Sequence, residues 1–205
     1  DTDNGSEFAV LDNAAGIRSS FYLRLHALEY SVARVTGFYQ KLESKGYEIG
    51  YHYEVMDQCS TTSVNDCALN LFRQELAQLR QYFNVRSVCP HGGKWNYLLE
   101  RDPQWTALSQ ESGVVSAYRL PLSGKADYYY LSDASPDFAA RKLEYFKTEL
   151  ENRKPGDIVQ VLVHPHPPRW EYEIFADASP PPIPEVSVSE TLGASFLAAL
   201  SLLAS

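Results

Sequence analysis

The sequence predicts an α/β protein whose strands and helices alternate around a mostly parallel sheet. Two observations support this prediction. Helical and strand periodicities follow one another along the chain, and the last strand, residues 158–163, reads IVQVLV. Such an apolar run is typical of a parallel strand that is buried on both faces. The strands within the chain fit either a barrel or an open doubly wound sheet, and no glycine-rich phosphate-binding motif accompanies them.

Each element follows from its periodicity and from the residues that end it. Gly16, Gly46 and Pro155 interrupt helical patterns. Ser63 or Asn65 is expected to cap the longest helix. In chain order we predict a helix over 6–15, a strand over 18–25, a helix over 30–45, a strand over 47–54, a helix from 63 or 65 to 83, strands over 85–89, 114–118 and 128–131 with a short helix over 105–110, a helix over 136–152 and the strand over 158–163.

Composition excludes several classes of protein. The 205 residues are 44% hydrophobic and 21% charged, as in globular domains, so the chain is not disordered throughout. A net charge of −8 argues against a protein that tracks nucleic-acid phosphates. No run reaches the roughly 18 apolar residues of a membrane span. The aromatic content of 13% favours ring-shaped ligands such as sugars only weakly.

The two ends differ from the domain between them. The chain opens on a polar cluster and runs directly into a helix, so we expect the domain, residues 1–177, to lack its first strand. Residues 178–205 are predicted to be a Pro-rich linker followed by an apolar tail. That tail fits either a membrane anchor that is cut short or a short helix docked on the domain.

Three cysteines, Cys59, Cys67 and Cys89, are too few for a disulfide framework, and their spacing matches no zinc knuckle. We expect them to be small buried side chains. One disulfide with one free thiol is the alternative.

Polar side chains collect where the predicted strands end. His52 closes one strand, His91 follows the next, and His164 follows the last, while Asp1 and Asp3 follow the strand expected before the chain. Because parallel strands end at one edge of a sheet, we expect these residues to lie together. Imidazoles with a carboxylate are the ligands of a zinc-type hydrolytic site, in which a further carboxylate acts as general base and a histidine as general acid.

Two further polar residues lie near the ends of predicted strands, and we expect different things of them. Glu54 lies two residues after His52 and therefore on the same face of an extended chain. His26 follows a predicted strand that has no matching carboxylate, so we expect no role for it. Each candidate taken alone has a simpler interpretation. His52 would be a core histidine, His91 a loop residue, and Asp1 and Asp3 part of an exposed terminus.

The ordered segments of the chain resemble a known family. After the initial Asp-x-Asp come GIRSSFYLRL, GYEIGYHYE, VCPHGGKWN, YYLSDAS and VLVHPHPPRW. This order resembles the polysaccharide deacetylase (NodB homology) superfamily, and more closely its poorly characterised deacetylase-like branch. The resemblance covers roughly residues 1–175. It rests on the order of these segments together, because no single one of them is diagnostic. It implies a deformed (β/α) barrel and metal-dependent removal of acetyl groups from sugars.

The resemblance also implies a metal site. Asp1 would be the general base and Asp3 a metal ligand, although the family's adjacent Asp pair is split here and the two roles could be exchanged. His52 matches the first histidine of the family's His-x3-His, but the second falls on Met56, which cannot replace an imidazole as ligand. We therefore expect His91 to supply the missing nitrogen to a divalent metal, preferably Zn, with Glu54 in reserve.

The remaining roles concern proton transfer and substrate. His164 matches the late catalytic histidine, the general acid. Asp133 and Trp170 are expected to hold the sugar, and a backbone N–H of the turn at residues 90–92 is expected to hold the oxyanion.

The predicted function is a metal-dependent hydrolase that removes acetyl groups from a carbohydrate. Two alternatives stay open because of Met56: a catalytically silent carbohydrate-binding protein, and a metal-assisted amidohydrolase that acts on a non-sugar substrate. The expected partner is an acetylated poly- or oligosaccharide, with no nucleic acid, and with the membrane only through the apolar tail. We expect a monomer, and a cell-envelope or extracellular location is favoured over the cytoplasm.

Overall fold

The structure is a computed structural model of the chain. It describes residues 5–92, 95–119, 128–137, 143–155 and 157–164. The described residues form two compact units. The first contains residues 18–92 and 95–119, and the second contains 5–17, 128–137, 143–155 and 157–164. Both units contain helices and parallel strands, which confirms the predicted α/β class.

The observed elements follow the predicted order closely. The helices are α1 (Gly5–Ala14), α2 (Val32–Ser44), α3 (Val55–Gln58), α4 (Asp66–Leu79), α5 (Trp105–Ser112) and α6 (Leu143–Glu151), with a 3-10 helix over Asn96–Arg101. The strands are β1 (Ser20–Leu23), β2 (Glu48–Tyr53), β3 (Ser87–Pro90), β4 (Val115–Ser116), β5 (Tyr128–Ser132) and β6 (Ile158–Leu162). The periodicity missed α3 and the 3-10 helix, which are too short to show a repeat.

The first unit is built on a four-stranded parallel sheet with the order β1-β2-β3-β4. The register pairs Phe21 with Ile49 and His52 with Cys89. Among the described strands β1 pairs with β2 alone, so it forms one edge of this sheet. The strand expected before residue 1 stays a prediction.

Helix α4 shows how local chemistry and core packing cooperate in the first unit. Asn65 is its N-cap, and the Asn65 side chain accepts a hydrogen bond from Ala68 N at 3.1 Å. Of the two predicted caps the structure therefore uses the second. Phe72 and Leu76 lie on the buried face, and burial of such side chains contributes about 1.5–3 kcal/mol each.

Strand β2 is buried along most of its length and packs closely against β1. Tyr51 and Tyr53 are fully buried. Between Ile49 and Tyr51 the backbone comes so near to β1 that a Cβ added to Gly50 would lie 2.4 Å from the Tyr22 ring. This close approach requires glycine within the GYEIGYHYE segment.

The second unit contains a parallel pair of strands, β5 and β6, in register from Tyr128↔Ile158 to Ser132↔Leu162. One face of this pair packs on α6, where Phe146 is buried against Leu131. The expectation that the last strand is buried on both faces is wrong, because Ile158 is 38% exposed. No residue of β6 is fully buried, and the apolar cluster of the pair is formed with Phe146 by Val159 and Val161.

The cysteines also differ from the expectation. Cys59 and Cys67 form a disulfide, while Cys89 is a free thiol buried in β3. The alternative of one disulfide and one thiol is therefore the observed one, since the turn after α3 brings the two cysteines to a Cα–Cα distance of 6.1 Å.

The predicted linker and tail, residues 178–205, lie outside the described residues. None of the described helices is long and apolar enough to cross a membrane.

Candidate functional site

Three strands of the first unit end at the same edge of the sheet and bring their following residues together. Arg24 follows β1, Glu54 follows β2 and His91 follows β3. Arg24 Nη2 donates to Glu54 Oε2 at 2.9 Å, and His91 Nδ1 lies 3.4 Å from the same oxygen. The rule that polar residues at parallel strand ends converge holds for these three side chains.

His52 completes this cluster, which we call the strand-end cluster: Arg24, His52, Glu54 and His91. The rings of His52 and His91 are perpendicular, with their centroids 5.1 Å apart. His52 Nδ1 lies 3.0 Å from the carbonyl oxygen of Cys89. A carbonyl only accepts, so Nδ1 carries the proton and the lone pair of neutral His52 is on Nε2.

The backbone around His91 is fixed from two sides. His91 N donates to Tyr53 O at 2.8 Å. The fully buried Asn96 side chain donates to His91 O at 3.4 Å and to Asp57 Oδ2 at 2.7 Å, and it accepts from Met56 N at 3.1 Å. Asn96 therefore ties the His91 turn to helix α3.

Burial determines the electrostatics of the strand-end cluster. Desolvation, followed by the neighbouring His52 and the positive charge of Arg24, lowers the pKa of His91 to about 4, although Glu54 opposes the shift. His91 is therefore neutral at pH 7. Glu54 Oε2 binds Arg24, while its buried Oε1 has no hydrogen-bond partner among the described residues.

His26 has a carboxylate partner that the sequence did not reveal. Its Nε2 lies 2.6 Å from Glu75 Oε1, and the hydroxyl of Tyr51 donates to Glu75 Oε2. The expectation that His26 lacks a matching carboxylate is therefore wrong. Glu75 lies on α4, 49 residues further along the chain. Burial and then Glu75 raise the pKa of Tyr51 well above its ordinary value.

The second unit holds a carboxylate–histidine pair at the ends of β5 and β6. Asp133 Oδ2 accepts from His164 N at 2.6 Å, and Asp133 Oδ1 lies 2.7 Å from His164 Nδ1. One carboxylate thus fixes both the backbone and the ring of His164. Because a carboxylate accepts hydrogen bonds, Nδ1 of His164 carries the proton that faces Asp133. Nε2 is then the ring nitrogen that can exchange a proton with a ligand.

The structure brings the predicted residues together in two groups. His52, Glu54 and His91 meet in the first unit, and Asp133 meets His164 in the second. That all of these converge on one point stays a prediction. Asp1, Asp3 and Trp170 lie outside the described residues.

Besides Glu75, two members of these networks were missed by reasoning from sequence. Arg24 stands directly after β1, so the strand-end rule applies to it as well. Asn96 lies in a 3-10 helix without periodicity, and no signal in the sequence indicates its role.

Two of the residues predicted to bind a metal, His52 and His91, lie within the described ranges. His52 is held through Nδ1 by a carbonyl, an arrangement typical of metal-ligating histidines, and His91 is neutral. Within the described ranges no three His, Cys, Asp or Glu side chains are grouped so that they could hold a metal ion. The predicted carboxylate ligand, Asp3, is outside those ranges.

Comparisons of this chain with protein-family models, with curated proteins and with solved structures find no match.

Proposed function

We propose that the chain is a metal-dependent hydrolase that removes acetyl groups from a carbohydrate, built as a deformed (β/α) barrel of the polysaccharide deacetylase type. The observation that carries this proposal is the Asp133–His164 pair. It occupies the position that the resemblance gives to the general acid, and its geometry suits proton transfer.

The strand order supports a barrel rather than a doubly wound sheet. Strands β1 to β4 are neighbours in the order of the sequence, and all of their pairings are parallel. A doubly wound sheet reverses its strand order at a switch point, where its ligand binds. A barrel continues in sequence order and places its site at the carboxyl ends of the strands, where the strand-end cluster lies.

A divalent metal ion would be held by His52 and His91, with Asp3 as the expected carboxylate ligand, and would supply a Lewis acid for water and for the acetyl carbonyl. The neutral state of His91 and the tautomer of His52 suit this role. Arg24 neutralises Glu54 beside the two rings.

The chain offers one backbone donor of the 90–92 turn for the oxyanion. Pro90 has no N–H, and the N–H of His91 is bonded to Tyr53 O. The N–H of Gly92 is therefore the donor that we assign to this role, and its missing side chain permits close approach of a substrate.

His164 protonates the leaving amine or alcohol through Nε2, because an amide nitrogen is expelled poorly without a proton. Asp133 holds the ring in the required tautomer and stabilises the imidazolium. The expectation that Asp133 holds the sugar stays a prediction, and both of its carboxylate oxygens lie within hydrogen-bond distance of His164. We therefore assign Asp133 to positioning His164.

The test is release of acetate from acetylated chito-oligomers and from acetylated xylan. His164→Ala should lower kcat by about 10²–10⁴-fold, the usual contribution of a general acid, and leave the metal content unchanged. His26→Gln, which keeps a nitrogen for Glu75, is the matched control and should retain activity. Equal turnover by the wild type and His164→Ala would show that His164 is not the acid.

A catalytically silent carbohydrate-binding protein is the second candidate. Met56, fully buried where the family has its second histidine ligand, favours it. Zinc analysis of the purified protein separates the two candidates. A protein without stoichiometric metal and without acetate release, but with affinity for glycans, would be the binding protein.

The Cys59–Cys67 disulfide supports a location in the cell envelope or outside the cell, because disulfides persist in oxidising compartments.

A further inference from the structure

Helix α3 is too short to be stable through its own hydrogen bonds. It has 4 residues, Val55–Gln58, and isolated helices shorter than about 12 residues are marginal in water. Contacts at its two ends therefore decide whether it keeps its shape. Its first residue follows Glu54 of the strand-end cluster, and its last is followed by Cys59, which the disulfide joins to Cys67.

The chain leaves α3 through a strained turn. Ser60 N donates to Asp57 O at 3.0 Å. Thr61 N donates to Met56 O at 3.0 Å, which completes the hydrogen-bond pattern of a Schellman motif. The residue after the C-cap of this motif has a left-handed backbone and is usually glycine. Here it is Ser60, with a φ of 49°, and no other non-glycine residue has a positive φ among the described residues. Serine adopts this conformation only at a cost in free energy.

The disulfide ties this turn to a helix that the core holds in place. Cys67 is the second residue of α4, a helix of 14 residues that buries Phe72 and Leu76. Cys59 is the C-cap of the much shorter α3. Cys67 is exposed and Cys59 is partly exposed. Exposed or strained disulfides are the ones that dithiols reduce most readily.

The buried Asn96 side chain connects α3 to the His91 turn. It accepts from Met56 N at 3.1 Å and donates to Asp57 Oδ2 at 2.7 Å, so it binds two consecutive residues of α3. The same amide donates to His91 O at 3.4 Å. Asn96 is fully buried, so bulk water does not replace a partner that it loses. A displacement of α3 therefore also disturbs the backbone of His91.

We propose that the Cys59–Cys67 disulfide is a redox switch that controls the geometry of the strand-end cluster. In the oxidised chain it keeps α3 wound against Asn96. Reduction releases the strained turn and loosens α3, and Asn96 then loses the partners that fix it beside the His91 turn. The rest of the first unit stays folded, because core packing holds α4 and the sheet. This inference does not depend on the hydrolase proposal.

The switching step is a two-electron exchange with a dithiol, which is the reductant. One thiolate of the dithiol attacks the sulfur of the exposed Cys67, the Sγ–Sγ bond breaks, and the departing Cys59 thiolate takes up a proton. The second thiolate of the dithiol attacks the mixed disulfide and frees Cys67, which takes up a second proton. The protein gains two electrons and two protons, and the dithiol is oxidised to an internal disulfide.

The experiment compares amide hydrogen exchange of the full chain, followed by NMR, before and after reduction with dithiothreitol. Alkylation of the native reduced chain and mass spectrometry check that Cys59 and Cys67 have become thiols, and circular dichroism checks that the chain stays folded. Cys59→Ser/Cys67→Ser serves as a second form without the cross-link.

Three amides are compared in each form. Those of Met56 and His91 report on α3 and on the His91 turn. The amide of Ala117, which donates to Val88 O at 2.8 Å, reports on the sheet away from α3. The oxidised chain is also measured in urea, at a concentration that lowers its stability as much as reduction does. This control separates local loosening from a general loss of stability.

Reduction should accelerate exchange at Met56 and His91 by about tenfold or more, and at Ala117 by less than about threefold, because α3 opens locally while the sheet stays closed. The double serine variant should show the same pattern. In urea the oxidised chain should show no larger acceleration at Met56 and His91 than at Ala117, because its cross-link is intact.

Asn96→Ala tests the route from α3 to His91. In this variant the His91 amide should exchange rapidly even when the disulfide is intact, and reduction should accelerate it by less than about twofold further. If the variant does not fold, Asn96→Ser takes its place. An acceleration at His91 as large as in the wild type would overturn the proposal.

The proposal would also be overturned by equal acceleration of all three amides, by unchanged exchange at Met56 and His91, by a disulfide that resists reduction in the folded chain, or by unfolding on reduction. The hydrolase proposal fails separately. A chain that shows the selective exchange but releases no acetate in either redox state keeps the switch and loses the hydrolase. A chain that releases acetate but shows no selective exchange keeps the hydrolase and loses the switch.

Discussion

The strand-end cluster of the first unit and the Asp133–His164 pair of the second are built differently. The first draws on three strands, and desolvation lowers the pKa of His91 so that its ring stays neutral. The second is a single carboxylate and a single imidazole at the ends of two strands.

This difference in construction suits the different roles that we propose for the two sites. An imidazole that a backbone carbonyl holds in place, such as His52, is suited to binding a metal because its ring is already oriented. An imidazole gripped by one carboxylate is suited to gaining and losing a proton. A ring oriented by a backbone carbonyl thus favours ligation, and a ring held by a carboxylate favours proton transfer.

The largest expected effects come from mutating one residue in each site and comparing the zinc content and the activity of the two variants. His52→Ala should abolish zinc retention, because it removes one of the two nitrogen ligands that we propose. Asp133→Asn should keep zinc and lower kcat by about 10²–10⁴-fold, because His164 loses the carboxylate that sets its tautomer. Elemental analysis and acetate release measure the two effects. Zinc loss in Asp133→Asn, or full retention in His52→Ala, would break the assigned division.

Removal of the disulfide tests how much the cross-link between Cys59 and Cys67 stabilises the chain. Cys59→Ser/Cys67→Ser should lower the free energy of unfolding by roughly 2–3 kcal/mol. Burial raises the pKa of the Cys89 thiol to about 12, so this thiol stays protonated and unreactive in the native protein.

Thiol titration supplies the control for that prediction. The native chain should show no reactive thiol, the unfolded chain one, and the unfolded and reduced chain three. Three reactive thiols in the unfolded, unreduced protein would contradict the disulfide.

Close packing around Gly50 in the first unit predicts a smaller loss of stability than removal of the disulfide. Gly50→Ala should destabilise the chain by about 1–3 kcal/mol, because its Cβ would meet the Tyr22 ring at 2.4 Å and Ser87 O at 3.1 Å. Gly37→Ala is the matched control, since nothing lies within 4 Å of its Cβ, and it should be neutral or slightly stabilising in helix α2. Urea denaturation measures both, and equal midpoints would refute the close approach.

The smallest effect concerns a local interaction that is independent of either site. Asn65→Ala should cost about 1 kcal/mol, because Ala68 N loses its acceptor at the start of α4. Asn65→Asp should restore most of that stability. A loss of zinc binding or of catalysis in either variant would show that the cap influences the sites, contrary to expectation.

Much of the architecture was predictable because it depends on local patterns. The strand and helix order, the Asn65 cap and the position of His52, Glu54 and His91 at strand ends all follow from periodicity and from the geometry of parallel sheets. These features involve residues close in sequence, where backbone preference and side-chain spacing suffice.

The partners of those side chains were not predictable in the same way. Glu75 reaches His26 across 49 residues, Asp133 reaches His164 across 31, and Arg24 reaches Glu54 across 30. The exposure of Ile158 also contradicted its apolar strand pattern.

By itself, the sequence determined the α/β class, the order of the elements and which polar residues stand at strand ends, because each follows from residues a few positions apart. The tertiary structure decided that Asp133 lies within hydrogen-bond distance of His164, that His26 has a carboxylate partner and that Cys59 pairs with Cys67. Those outcomes depend on which distant side chains packing brings within hydrogen-bond or bonding distance, and chain periodicity carries no information about such encounters.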